Sequence, residues 1–196
     1  MVGMMTPTAA PMVLVYVRVA QHAAGAGLRF ASAAWLLAGY LLAWTLFAAI
    51  ATAAQWLLES LAMMTPMMRT ASRPIAAAVM LIAGIYQFLP AKDACLMRCR
   101  APLQFIQQHG GFQPRALPSL RLGLVHGLFC VGCCWALMLV MFVVGMGNLA
   151  WMLLLAALMA AEKNLPQGRR IAAPVGFGLL AWAAADRGDR VGGLVF

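Results

Sequence analysis

The chain has 196 residues, of which 64% are apolar and only 10% charged, whereas a soluble domain runs nearer half apolar and a quarter charged. That imbalance, with a mean hydropathy of +0.87, excludes a disordered chain, an ordinary nucleic-acid-binding domain and most soluble enzymes. The net charge of +9, from 14 Lys and Arg against 5 Asp and Glu, is then a set of topology markers and not a face for an acidic partner.

The expected fold class is all-α: a polytopic transmembrane helical bundle of about five to six segments, forming one integral membrane domain over residues 1–196. Met1 to Val17 is apolar and charge-free, carries Pro7 and Pro11, and lacks the basic start of a secretory signal. Arg18, His22 and Arg29 mark an aqueous edge, and Ser32 suits a helix N-cap. Ala33 to Thr52 holds no charge and is the strongest span, with helix expected to run on past Gln55 and Glu59 to Met64. Arg69, Ser72, Arg73 and Pro74 break the pattern, and Pro74 suits a first helical turn. Ile75 to Leu89 is apolar but only roughly 23 Å long as a helix. Residues 90–119 read as a polar cytoplasmic loop containing Lys92, Asp93, Arg98, Arg100, His109, Gly110-Gly111 and Arg115. Leu122 to Val144 is the next span, and Gly145-Met146-Gly147-Asn148 is a tight turn by composition. Leu149 to Ala161 returns across and ends at Glu162-Lys163, where an anchoring role is expected, and Ile171 to Ala185 is the last apolar segment.

With segments 1–17, 33–64, 75–89, 122–144, 149–161 and 171–185 all crossing, the basic residues divide unevenly. Ten fall on one side: Arg18, Arg29, Lys92, Arg98, Arg100, Arg115, Arg121, Lys163, Arg169 and Arg170. Four fall on the other: Arg69, Arg73, Arg187 and Arg190. The positive-inside rule then predicts an inner-membrane protein with its basic loops cytoplasmic and both termini outside. A near-repeat, Gly3-Met4-Met5-Thr6-Pro7 and Ala62-Met63-Met64-Thr65-Pro66, falls on the outer side in both copies and would suit a duplicated helix pair.

The candidate chemistry is carried by sulfur. Cys95 and Cys99 are one helical turn apart, and His126, Cys130, Cys133 and Cys134 fall within roughly 100° of one another on a helix. Thiols, thioethers and imidazole are soft or borderline donors that select copper, zinc or iron–sulfur centres over magnesium or calcium. His126 and Cys134 stand about 12 Å apart along a helix axis, so one ion cannot take both. A single site would combine Cys130 with His126, Cys133 or Cys134, and complete its shell with Cys95 or Cys99. Close packing of small residues is the competing role for Cys133 and Cys134. Met4, Met5, Met63, Met64, Met67 and Met68 could supply Cu(I) thioether ligands at the outer side, although Met is also a common gap-filler. No Ser-His-Asp set, phosphate-binding loop, dinucleotide fingerprint or paired carboxylate site is present in the sequence.

Several of these stretches together resemble one family. They are Ala62-Met63-Met64-Thr65-Pro66; Tyr86 to Leu96, reading YQFLPAKDACL; Cys99 to Leu103, reading CRAPL; His126-Gly127; Cys130 to Met138, reading CVGCCWALM; Gly147-Asn148-Leu149; and Glu162-Lys163. The run resembles the DUF2182 family, described as predicted metal-binding integral membrane proteins, and covers most of residues 60–165. That family has an apolar, Trp-containing stretch before its first Met-Met-x-Pro motif. Here the chain starts almost on that motif, so a truncated first helix or an upstream start is expected. Leu89-Pro90-Ala91-Lys92 replaces the Thr-Pro-Leu-Lys that often follows Tyr-Gln in the family. The resemblance implies metal binding and no established reaction.

The leading expectation is a membrane protein binding a soft transition metal, copper over zinc or iron, in metal handling or metalloenzyme assembly. Its metal ligands would be Cys95, Cys99, His126, Cys130, Cys133, Cys134, Met63 and Met64, with the thiols at the cytoplasmic side and the methionines outside. The lipid bilayer and a membrane or periplasmic protein are the expected partners, with no nucleic acid. A membrane oxidoreductase, a structural partner subunit and a transporter stay open as alternatives.

Overall fold

In an apolar chain the backbone polar groups must be satisfied locally, which the α-helix does within one segment. The computed structural model describes residues 2–5, 7–25, 30–60, 73–145, 148–165 and 168–192, and the regular elements among them are all helical. In chain order they are α1 (Val2–Met5), a 3₁₀ turn (Pro7–Ala9), α2 (Ala10–Gly25), α3 (Ala33–Ser60), α4 (Arg73–Tyr86), α5 (Pro90–Arg100), α6 (Pro102–Gln108), α7 (Ala116–Val144), α8 (Leu149–Asn164) and α9 (Gly168–Gly192).

Two of the described helices, α3 and α7, are long and apolar enough to cross a membrane, and a third span results if the pair Pro74–Tyr86 and Pro90–Arg100 is one broken crossing bent by 63°. The other segments expected to cross are too short or too polar for that criterion among the described residues. Along α3, Leu42, Leu46, Ile50 and Trp56 are exposed, Trp56 at 70%. An apolar face of that extent belongs against lipid or another protein surface.

Residues 90–119, expected as loop, hold two helices and the start of a third. Pro90 and Pro102 each stand in the first turn of a helix, where the missing N–H is one the helix could not have used. The chain then reverses at Gly110 and Gly111, with φ of 100° and 70°. The Gly111 N–H donates to the Ile106 carbonyl at 2.8 Å, which closes the end of α6 with residues that bear the left-handed backbone at no steric cost.

Contacts divide the chain into two compact units: Met1–Ala51 with Ala94–Cys133, and Thr52–Asp93 with Cys134–Phe196. In the first unit, α3 and α7 meet backbone to backbone. A Cβ added to Gly123 would overlap the Leu36 carbonyl, and one added to Gly39 would overlap the Leu120 carbonyl. Gly127 lies against Ala43 and Tyr40 in the same seam. Gly39-x₃-Ala43 thus faces Gly123-x₃-Gly127, the small-residue spacing that lets two helices approach closely. Around this crossing, Met12 and Tyr16 of α2, Leu36 of α3, Phe105 and Ile106 of α6 and Leu122 of α7 form one buried cluster. The Tyr16 hydroxyl is satisfied there by the Ala31 carbonyl at 3.1 Å and Ser119 Oγ at 3.0 Å.

In the second unit, α4 packs on α9, with Gly84 under Leu180 and Gly176 beneath Phe88 and Gln87. Asn148 caps α8 through Oδ1, which accepts from the N–H groups of Ala150 at 3.1 Å and Trp151 at 3.3 Å. Where α4 gives way to α5, Lys92 turns inward. Its Nζ lies 2.8 Å from Glu162 Oε2, with the two side chains 1% and 3% exposed, and it also donates to Gln87 Oε1. Lys92 and Glu162 were expected at an aqueous edge; mutual neutralisation across the unit lets both be buried.

Two outcomes follow for thermal unfolding of the purified protein. Lys92→Met leaves the Glu162 carboxylate buried without its cation and should cost about 3–5 kcal/mol, most of it recovered in the double variant Lys92→Met/Glu162→Leu. Gly123→Ala forces the α3–α7 seam apart and should cost about 1–3 kcal/mol, while Gly178→Ala, with open space around it, should cost less.

Candidate metal centre

The thiols reach one another because two helices present them at matching spacings. Helix α7 continues unbroken through His126, Cys130, Cys133 and Cys134, all buried. Helix α5 carries Cys95 and Cys99 one turn apart, both partly buried. In the first unit the Cys99 thiol lies near those of Cys130 and Cys133. Cys95 Sγ occupies the space left by the missing side chain of Gly132, where an added Cβ would stand 3.0 Å from the sulfur. Cys133 Sγ donates to the Cys130 carbonyl oxygen at 3.1 Å. The Arg98 guanidinium lies over the Phe129 ring at 4.4 Å. That cation–π contact holds α5 on α7 and sets a positive charge beside Phe129, the residue that precedes Cys130.

The sequence-predicted residues are therefore brought together in part. Cys95, Cys99, Cys130 and Cys133 gather in the first unit. His126 sits one turn before Cys130 with its ring packed on aromatic neighbours, Tyr40 at 6.0 Å and Phe105 at 5.2 Å between centroids. Cys134 is buried on the same helix but belongs to the second unit. Met63 and Met64 lie outside the described residues. Among the described residues no group of three His, Cys, Asp or Glu side chains stands in the spacing of a formed metal shell. The thiols lie near one another, and a soft ion entering there would replace their hydrogens.

Two further residues, Tyr40 and Thr8, join this site, and no local spacing announced them. The Tyr40 hydroxyl, from α3, lies 3.1 Å from Cys130 Sγ and donates to the Met5 carbonyl at 2.9 Å. Thr8 Oγ1 donates to the same carbonyl at 2.8 Å, and lies 3.2 Å from the Tyr40 hydroxyl and 4.0 Å from Cys130 Sγ. The N-terminal Met-Met motif and the thiols were expected at opposite ends of the bundle. Instead, Met5 and Cys130 share one phenol. The only hints in the sequence were an aromatic hydroxyl inside an apolar span and the Thr-Pro-Thr that follows the methionines.

A family model described as a copper chaperone, PpoB2, matches residues 1–185. No match is found among curated proteins or among solved structures. Since that match takes in nearly the whole chain, thiol helices and N-terminal motif alike, the chain belongs to the PpoB2 copper chaperone family.

Proposed function

We propose that this chain is an integral membrane copper chaperone that holds Cu(I) on the thiols of α5 and α7 and hands it to a copper-requiring protein. The observation that carries this reading is the gathering of Cys95 and Cys99 of α5 beside Cys130, Gly132 and Cys133 of α7 in a member of a copper chaperone family. Cu(I) is a soft ion that prefers thiolate and thioether sulfur, and among the metals that such donors suit the family points to copper.

In this reading Cys99, Cys130 and Cys133 are the primary ligands. Cys95, partly exposed on the short helix α5, receives or releases the ion. His126 is the nearest nitrogen donor, Cys134 extends the thiol row along α7, and Met63 and Met64 serve as a thioether relay. Binding is substitution: each thiol that takes copper gives its proton to solvent and recovers it when copper leaves. The metal keeps its oxidation state throughout.

The proposed location is the inner membrane, with the basic segments cytoplasmic and a membrane or periplasmic protein as recipient. The uneven distribution of Lys and Arg supports the orientation. Lys92 and Lys163 are buried, so the arginines carry that bias.

Elemental analysis of protein purified anaerobically and loaded with Cu(I), with competition against a chromophoric Cu(I) chelator, tests the reading. Cys99→Ser and Cys130→Ser should each weaken Cu(I) binding about tenfold or more, near 1.4 kcal/mol, with helix content unchanged by circular dichroism. Copper content and affinity that stay at the wild-type level in the Cys99→Ser/Cys130→Ser double variant would sink it.

A further inference from the structure

We infer that Met5 is a thioether ligand of the ion held at Cys130, and that Tyr40 is the residue that positions it. This rests on the copper reading above and deepens it.

A helix of a single turn has little stability of its own. Here Met5 is completely buried, at 0% exposure, although its helix has four residues. Its carbonyl accepts from both Tyr40 and Thr8, so the turn that follows is pinned from α3 and from within. The partner of that pin is the site itself. Only two contacts, of 2.9 and 3.1 Å through one phenolic oxygen, separate the Met5 carbonyl from Cys130 Sγ. A methionine side chain has three rotatable bonds and a polarisable sulfur, and it spans that range with little strain.

Charge favours the same pairing. Cys130 is 2% exposed, and an uncompensated charge there is costly. Each thiolate beyond the first adds one negative charge to a Cu(I) site, whereas a thioether adds none. The thioether offers a lone pair and has no proton to release. When copper arrives, each thiol that binds it, Cys130 among them, loses one proton to solvent, Met5 loses none, and the metal stays Cu(I). On departure the thiol regains its proton. A neutral ligand that needs no proton to let go suits an ion that must be passed on.

The test is copper-edge X-ray absorption of the full-length protein, purified in detergent, with selenomethionine replacing methionine and Cu(I) added. A copper–selenium scattering component should be present, vanish in Met5→Leu, and persist in Met4→Leu. Met5→Leu should also weaken Cu(I) binding about tenfold. It conserves volume in a buried position, so the fold should survive. Tyr40→Phe keeps the ring and removes the hydroxyl, and it should diminish the selenium component while the sulfur component stays. Copper retained with sulfur scattering alone in the unsubstituted protein, or a selenium component that survives Met5→Leu, overturns the assignment of Met5 and leaves the thiol reading standing. A protein that retains no Cu(I) overturns both. An undiminished selenium component in Tyr40→Phe removes Tyr40 from the positioning role.

Discussion

The close crossing of α3 and α7 is the constraint on which the first unit depends. With glycine at positions 39, 123 and 127, the two backbones approach to a distance that no side chain could occupy. In a lipid-like surrounding, where apolar burial between helices contributes little, this kind of packing supplies the association energy. It also has a chemical result. Tyr40 follows Gly39 directly, and Cys130 lies one turn beyond His126 and Gly127. Holding the backbones together at the glycines therefore delivers the phenol to the thiol. A looser crossing would leave the same residues in place and out of reach.

The second unit solves a different problem, the burial of charge. Lys92, Gln87 and Glu162 are joined where the chain bends between α4 and α5. A pair of this kind adds less to stability than its Coulomb energy suggests, because both ions were desolvated to make it. Its value is geometric. The bend brings α5 to a defined start, and Cys95 and Cys99 lie one and two turns along that same helix from Lys92.

Much of this was legible in the sequence. The charge-free runs at 33–52 and 122–144 gave α3 and α7, and helical periodicity set His126, Cys130 and Cys133 on one face. The Cys95 and Cys99 spacing placed both thiols one turn apart on one helix, as α5 has them. What hydropathy misread was Lys92, because a lysine counts as exposed unless its counter-ion is known, and Glu162 is 70 residues away. The stretch 90–119 read as loop for the same reason: its prolines looked like breaks, yet they stand where helices begin. Tyr40 and Thr8 were invisible to any local pattern, since their meeting with Cys130 spans 90 and 122 residues. Of the five to six crossings expected from apolar composition, two of the described helices have the length and hydropathy of a span, or three spans result if the bent pair is one.

The hydrogen bond from the Cys133 thiol to the Cys130 carbonyl has a quieter implication. That carbonyl lies inside α7 and already serves the regular helical ladder, so the sulfur's hydrogen is a supplementary guest on its second lone pair. Giving up that hydrogen takes nothing from the ladder. The backbone at this point is thus indifferent to whether the Cys133 sulfur is protonated. Under the proposed copper reading, filling and emptying the site would ask no refolding of α7, which need keep no record of its load.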